Sequence, residues 1–259
     1  MLATPAYDIA LILHQGQRDA QEDAIAARVS DAASAGYVVV ADGMGGHEAG
    51  DIASGLVISA WRDAMDTQLD GPDLVESALL DALPLAAMQA NAAVANHGEE
   101  NGVNLGSTLL GMLMLGRRVF WISIGDSPLY LFRDGRLTQI NEDHSMAPMI
   151  DAQVADGTLS ADEALIHPDR NQLTSVIMGA AIPKVDCPEQ PLALRPADIL
   201  ILGSDGLQYL KNSEIESLLR THVQSPARDI SDALLRALQA KGDPDQDNIS
   251  IAVVKPAKP

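Results

Sequence analysis

The chain has 259 residues, of which 47% are hydrophobic and 3% aromatic, so its core has to be built from Ala, Leu, Ile, Val and Met. Lys and Arg total 17 against 36 Asp and Glu, a formal charge of −19 that argues against nucleic acid or an anionic membrane surface as partner. The single cysteine, Cys187, excludes an internal disulfide and a cysteine-built zinc site.

Residues 1–14 lack a basic leader, and Asp8 interrupts their apolar stretch, so no signal peptide is expected. No run of about 18 apolar residues is read as a membrane span, and the expectation is a cytoplasmic monomer. Tyr7–His14 reads as a strand, and 37–41 as a second, fully buried one. Residues 48–68 read as a helix with Ile52, Leu56, Ile58 and Trp61 on or near one face. Residues 72–97 form a second, Ala-rich helical pattern, in which Pro84 marks a kink or break.

Residues 106–115 and 119–125 read as paired buried strands. Leu129–Arg133 and 136–140 flank Asp134-Gly135, a pair that tolerates the positive φ angles of a tight hairpin turn. Residues 145–170 turn polar and helical, punctuated by Gly157 and Pro168, and read as an inserted flap. Ile199–Gly203 is a buried strand, 213–219 and 226–241 are helices, and 249–254 is a final strand. The strands cluster rather than alternate with helices. That pattern predicts packed antiparallel sheets covered by helices, in one domain spanning 1–259.

Acidic residues recur at the ends of these apolar strands. Asp42 follows 37–41 and precedes Gly43-Met44-Gly45-Gly46. Asp126 follows 119–125, Asp205 follows Ile199–Gly203 and Ser204, and Asp247-Asn248 precedes 249–254. Taken singly, each is as readily a turn former or helix cap. Taken together, carboxylates on rigid strand ends converging on one cleft would repel one another unless cations sat among them. Hard divalent ions such as Mg²⁺ and Mn²⁺ favour such oxygen ligands. Gly43 would let the backbone approach an ion closely.

The runs Arg18-Asp19-Ala20-Gln21-Glu22-Asp23, Asp42-Gly43-Met44-Gly45-Gly46, Gly106-Ser107-Thr108, Gly125-Asp126-Ser127, Asp143-His144-Ser145, Ser204-Asp205-Gly206 and Asp247-Asn248-Ile249 together resemble the bacterial PP2C (PPM) family of metal-dependent protein Ser/Thr phosphatases. The resemblance covers about 14–254. It implies an α+β, four-layer αββα sandwich with a flap insertion. It implies hydrolysis of phosphoserine and phosphothreonine by water, with two Mn²⁺ or Mg²⁺ ions per site and a third in some members. Asp42 would bridge two metals, the Gly43 carbonyl would bind one, and Asp205 and Asp247 the other. Asp126 would serve the third metal with Asp205, while Glu22 and Asp23 would act through water or as acceptors behind the ligands. Arg18 would grip the substrate phosphate. As catalytic residues the resemblance marks Arg18, Asp42 and Asp205.

Phosphorylated proteins and a cognate Ser/Thr kinase are the implied partners. The alternative is a catalytically weak pseudophosphatase that binds phosphoproteins, but no metal-site carboxylate is missing. No covalent intermediate is needed, and Cys187 has Ala193 six residues on, where a thiolate phosphatase requires arginine. Three departures stand out. Met44 replaces a histidine that many eukaryotic relatives carry, Pro128 replaces the usual arginine, and 174–179 lacks another. With a chain this acidic, Arg18 and the basic residues Arg117, Arg118 and Lys184 are the expected source of local positive potential. Substrates with basic residues near the phosphosite should be preferred.

Overall fold

An antiparallel sheet with one wet face alternates apolar and polar residues. The central strands here do not alternate, because each sheet is covered on both faces. The computed structural model describes residues 7–30, 35–45, 49–71 and 74–257. Gly46, His47, Glu48 and Pro72, and with them the expected starts of both long helices, lie outside the described residues. In chain order the elements are β1 (Tyr7–His14), β2 (Asp23–Val29), β3 (Ala35–Gly45), α1 (Ala49–Leu69), α2 (Glu76–Asn101), β4 (Leu105–Ser107), β5 (Leu109–Leu115), β6 (Arg118–Ile124), β7 (Leu129–Arg133) and β8 (Arg136–Gln139). They continue with α3 (Ala147–Ala155), α4 (Ala161–Leu165), β9 (Leu192–Ala193), β10 (Ile199–Gly203), a 3₁₀ turn at Asp205–Tyr209, α5 (Asn212–His222), α6 (Ala227–Lys241) and β11 (Ile249–Pro256).

One sheet has the order β1-β11-β10-β7-β8 and the other β2-β3-β5-β6-β9, with β4 paired to the end of β3. Successive residues of one strand serve different layers. Val38 and Val40 join Leu110, Leu129, Leu200, Leu202 and Val254 between the two sheets. Tyr37, Val39 and Ala41 face Ala53, Val57 and Trp61 of α1. Ile201, Ile251 and Val253 face Ile215, Ile230 and Leu234 of α5 and α6. Three apolar interfaces therefore bind four layers, helices–sheet–sheet–helices, as expected.

The details correct several readings. On α1 the buried stripe is Ala53, Val57, Trp61, Ala64 and Met65, whereas Ile52 is exposed. Trp61 is admitted by Gly111 on β5, where an added Cβ would stand 2.1 Å from the indole ring. Pro84 does not end α2, which runs unbroken past it. Among the described residues α2 is the one helix long and apolar enough, by length and composition, to cross a membrane, although Ser77, Asp81, Gln89 and Asn91 interrupt its apolar residues. Its Leu79, Leu83, Ala86, Ala90 and Val94 are buried in the cluster shared with α1. The hairpin stands as read, with φ of 53° at Asp134 and 79° at Gly135.

Candidate active site

The two sheets bring their acidic strand ends to one edge. Asp42 lies on β3 directly opposite Asp23 of β2. Asp205 opens the 3₁₀ turn after β10, and Asp247 stands just before β11, the neighbour of β10. Asp126 follows β6. The Asp42 carboxyl donates a hydrogen bond to Asp205, and Asp42 feels the charges of Asp205, Asp23, Asp126 and Asp247. The structure therefore brings all five predicted aspartates into one cluster.

Small polar side chains hold the frame. Asp42 N–H donates to Thr108 Oγ1 at 3.0 Å, and Thr108 N–H returns to the Asp42 carbonyl at 2.8 Å. Thr108 Oγ1 also lies 2.8 Å from Ser127 Oγ, which ties the Asp42 strand to the turn carrying Asp126. Asn248 pins the loop bearing Arg18. Its Oδ1 accepts Glu22 N–H at 2.7 Å, and its Nδ2 donates to the carbonyls of Gln15 at 2.7 Å and Ala20 at 3.0 Å. Arg18 Nη2 then donates to Asp247 Oδ2 at 2.5 Å.

Gly43 is required by its surroundings. A Cβ there would stand 1.9 Å from the Gly50 carbonyl oxygen and 2.6 Å from that of Glu22. The Glu22 carboxylate accepts the Gly50 N–H in the first turn of α1, where the helix dipole favours an anion. Asp23 is 6% exposed and takes no part on the surface. Ser204 Oγ donates to its Oδ2 at 2.6 Å.

The electrostatics follow from crowding. Burial, then the neighbouring charges of Asp205, Asp23, Asp126 and Asp247, pushes Asp42 well above the usual carboxylate range. Asp23 is pushed to about 7, mainly by burial and against the pull of the Ser204 hydroxyl. Asp126 rises to about 7 through burial and the charges of Asp205 and Asp143. Asp205 rises to about 6 through burial and Asp247, opposed by the Asp42 hydrogen bond and Arg18. Burial also lifts Glu22.

Among the described residues no three His, Cys, Asp or Glu side chains already stand as a metal-ligand set. The carboxylates instead satisfy one another: Asp42 is bonded to Asp205, and Asp247 to Arg18. The donor set nevertheless fits hard divalent ions. It is all oxygen, it is anionic beyond what one guanidinium offsets, and Gly43 brings backbone within reach. Residues able to hold such ions are Asp42, Gly43 through its carbonyl, Asp205, Asp247 and Asp126.

Stacked sheets flanked by helices, with aspartates gathered at one edge of both sheets, define the architecture of metal-dependent protein phosphatases. The chain belongs to the protein phosphatase 2C family, whose profile matches residues 13–248. It is 35% identical over 227 residues to the serine/threonine protein phosphatase PstP of Mycobacterium tuberculosis. That match covers 86% of this chain but only 41% of PstP, so the chain spans about two fifths of that relative's length. The solved serine/threonine phosphatase of S. agalactiae superposes with a TM-score of 0.82 at 26% identity, covering 97% of this chain and 100% of that one. The PstP catalytic domain, solved in complex with two manganese ions, superposes with a TM-score of 0.74 at 30% identity, covering 97% and 99%.

Other expectations fare differently. Arg117 and Arg118 lie at the turn between β5 and β6, the far end of β6 from Asp126, about 20 Å along the strand. Arg118 is moreover paired with Glu76 at 2.6 Å. Neither supplies potential to the cluster. Burial and Asp186 push the Cys187 thiol up, against nucleophilic use. Sequence reading assigned no role to Thr108, Ser127, Ser204, Asn248, Gly50 or Ser250. The available signal was their type, because a small hydroxyl or amide inside an apolar strand end has to find a partner.

Proposed function

We propose that the chain hydrolyses phosphoserine and phosphothreonine in proteins, opposing a Ser/Thr kinase in the cytoplasm. One observation carries this reading: aspartates at the ends of separate strands, Asp42, Asp126, Asp205 and Asp247, gather in one cluster, which Arg18 joins through Asp247. A phosphate monoester is a dianion that water attacks poorly. Divalent cations held by these carboxylates supply a water of lowered pKa and offset charge on the phosphoryl oxygens.

The chain's own residues do the rest. Arg18 is exposed and permanently charged, and its planar fork can take two phosphoryl oxygens once it releases Asp247. Asp42 and Asp205, both raised above the usual carboxylate range, would have to be ionised to act together as anionic ligands. Asp23, opposite Asp42 and held by Ser204, orients the floor of the site. Met44 offers no proton, so the leaving alkoxide takes its proton from solvent. The segment 145–170, with α3 and α4, serves as a flap that governs access. The similarity to phosphatases named for serine and threonine supports the substrate class.

The experiment is hydrolysis of p-nitrophenyl phosphate and of a phosphothreonine peptide with Mn²⁺, comparing wild type with Asp205→Asn. Activity that vanishes with EDTA and falls at least about a hundredfold in the variant supports the reading. Activity that survives both contradicts it.

A further inference from the structure

A cleft of about 370 Å³ opens between the C-terminal end of α2 and the segment around Met178. Val94, Val103, Leu105 and Met178 give it an apolar lining, and Glu99 is the one charged group among its lining residues. Val103 is 40% and Met178 54% exposed.

The cleft lies beside the end of the strand that carries Asp42. Asp42 and Met44 are two residues apart on β3 and so share a face. Met44 pairs with Gly106 of β4, and a Cβ on Gly106 would touch both Met44 Cγ and Met178 Cβ at 3.4 Å. Leu105, in the cleft, pairs with Gly45, three residues or about 10 Å along β3 from Asp42 and on the opposite face of the strand, so a chain running from one to the other crosses the sheet edge.

The cleft also offers a backbone edge. Ser107 and Ile177 exchange both backbone hydrogen bonds, at 2.8 and 3.0 Å. By the two-residue period of the ladder, the N–H and C=O of Leu105 face the same side. There the partner segment has turned away, with Met178 N–H and Gly179 N–H donating to Asn91 Oδ1 at 3.3 and 2.8 Å. An extended peptide advances about 3.3–3.6 Å per residue, so about three residues span the distance from Asp42 to Leu105.

We propose that this cleft seats an apolar side chain of the phosphoprotein, three or four residues from the phosphorylated serine or threonine, and that Glu99 at its rim favours Lys or Arg beside that side chain. The proposal rests on the phosphatase reading above and names the substrate feature that the same site selects. Acid at the rim complements a basic flank, and an apolar lining complements Leu, Ile or Met.

The test uses the intact chain with Mn²⁺ and a phosphothreonine peptide series in which one Leu is moved from position −5 to +5. A second pair of peptides places Arg or Glu beside that Leu. In wild type, kcat/KM should peak about tenfold when Leu stands three or four residues from the phosphothreonine. Val103→Glu should flatten the peak, and Glu99→Lys should reverse the preference for Arg over Glu. Hydrolysis of p-nitrophenyl phosphate should stay the same in all three proteins. A flat Leu profile in wild type, or one that Val103→Glu leaves unchanged, overturns the proposal. If Val103→Glu does not fold, Glu99→Lys decides, and an unchanged preference for Arg overturns it. Wild type that fails to hydrolyse p-nitrophenyl phosphate overturns the phosphatase reading and this proposal with it.

Discussion

Arg18 Nη2 stands 2.5 Å from Asp247 Oδ2, across 229 residues of sequence. In the proposed mechanism both groups have another partner: Arg18 the phosphate and Asp247 a cation. The pair works as a mutual placeholder, and at 54% and 25% side-chain exposure it contributes little to stability. Arg18→Ala should therefore leave the melting temperature nearly unchanged. It should lower kcat/KM on phosphopeptides by roughly 10- to 100-fold, the worth of a charge-assisted contact. Steady-state kinetics beside thermal melts check this. A large loss of stability with intact kinetics would contradict it.

The raised carboxylates set a pH dependence with an unusual sign. Asp23 and Asp126 titrate at about 7 and Asp205 at about 6 in the native state, against an ordinary 3.8 when unfolded. Between these values the native chain binds more protons than the unfolded one, so this cluster's contribution to stability falls as pH rises from about 4 to 7. In EDTA, Asp126→Asn should gain about 2 kcal/mol over wild type at pH 8 and little at pH 4. Urea unfolding at the two pH values reads the difference. A variant less stable than wild type at pH 8 would contradict the crowding described here.

Ser204→Ala removes the 2.6 Å hydrogen bond to the buried Asp23 and the acceptor for Ser250 N–H at 3.0 Å. Stranding a buried carboxyl and a buried amide should cost about 1–3 kcal/mol. Urea denaturation measures it, and a change within about 0.5 kcal/mol would mean the contacts are idle.

Charge should steer encounter. Arg18 is the arginine of the cluster, and the chain carries −19 overall. A phosphopeptide with basic flanks should be hydrolysed faster than a matched acidic one at low salt, and the gap should narrow as salt rises. Equal rates at low salt would refute this.

Much of the frame was legible because the central strands are unbroken apolar runs and the acidic residues fall at their ends. What escaped reading has physical causes. β2 is an Ala-rich edge strand of weak intrinsic propensity, which forms because β3 offers it a ladder from Asp23↔Asp42 to Val29↔Gly36. Residues 106–115 read as one strand, but Thr108 spends its N–H and hydroxyl on Asp42, so β4 follows the end of β3 while β5 follows the rest. On α1, the small Ala53 and Ala64 lie inside because α2 and the sheet approach closely, while the larger Ile52 is left outside. Asp42, Asp126 and Asp205 were readable from their position after apolar strands and Asp247 from its place before one. The serines and Asn248 that fix them were not, since their partners lie far away in sequence.

The central claim is that these aspartates gather to hold divalent cations. Equilibrium Mn²⁺ binding, followed by calorimetry or by the electron spin resonance of the free ion, tests it most directly. Wild type should take up at least two ions per chain and release protons as it does so, and Asp42→Asn should lose that uptake while remaining folded by circular dichroism. Unchanged Mn²⁺ binding in a folded Asp42→Asn protein would contradict the account.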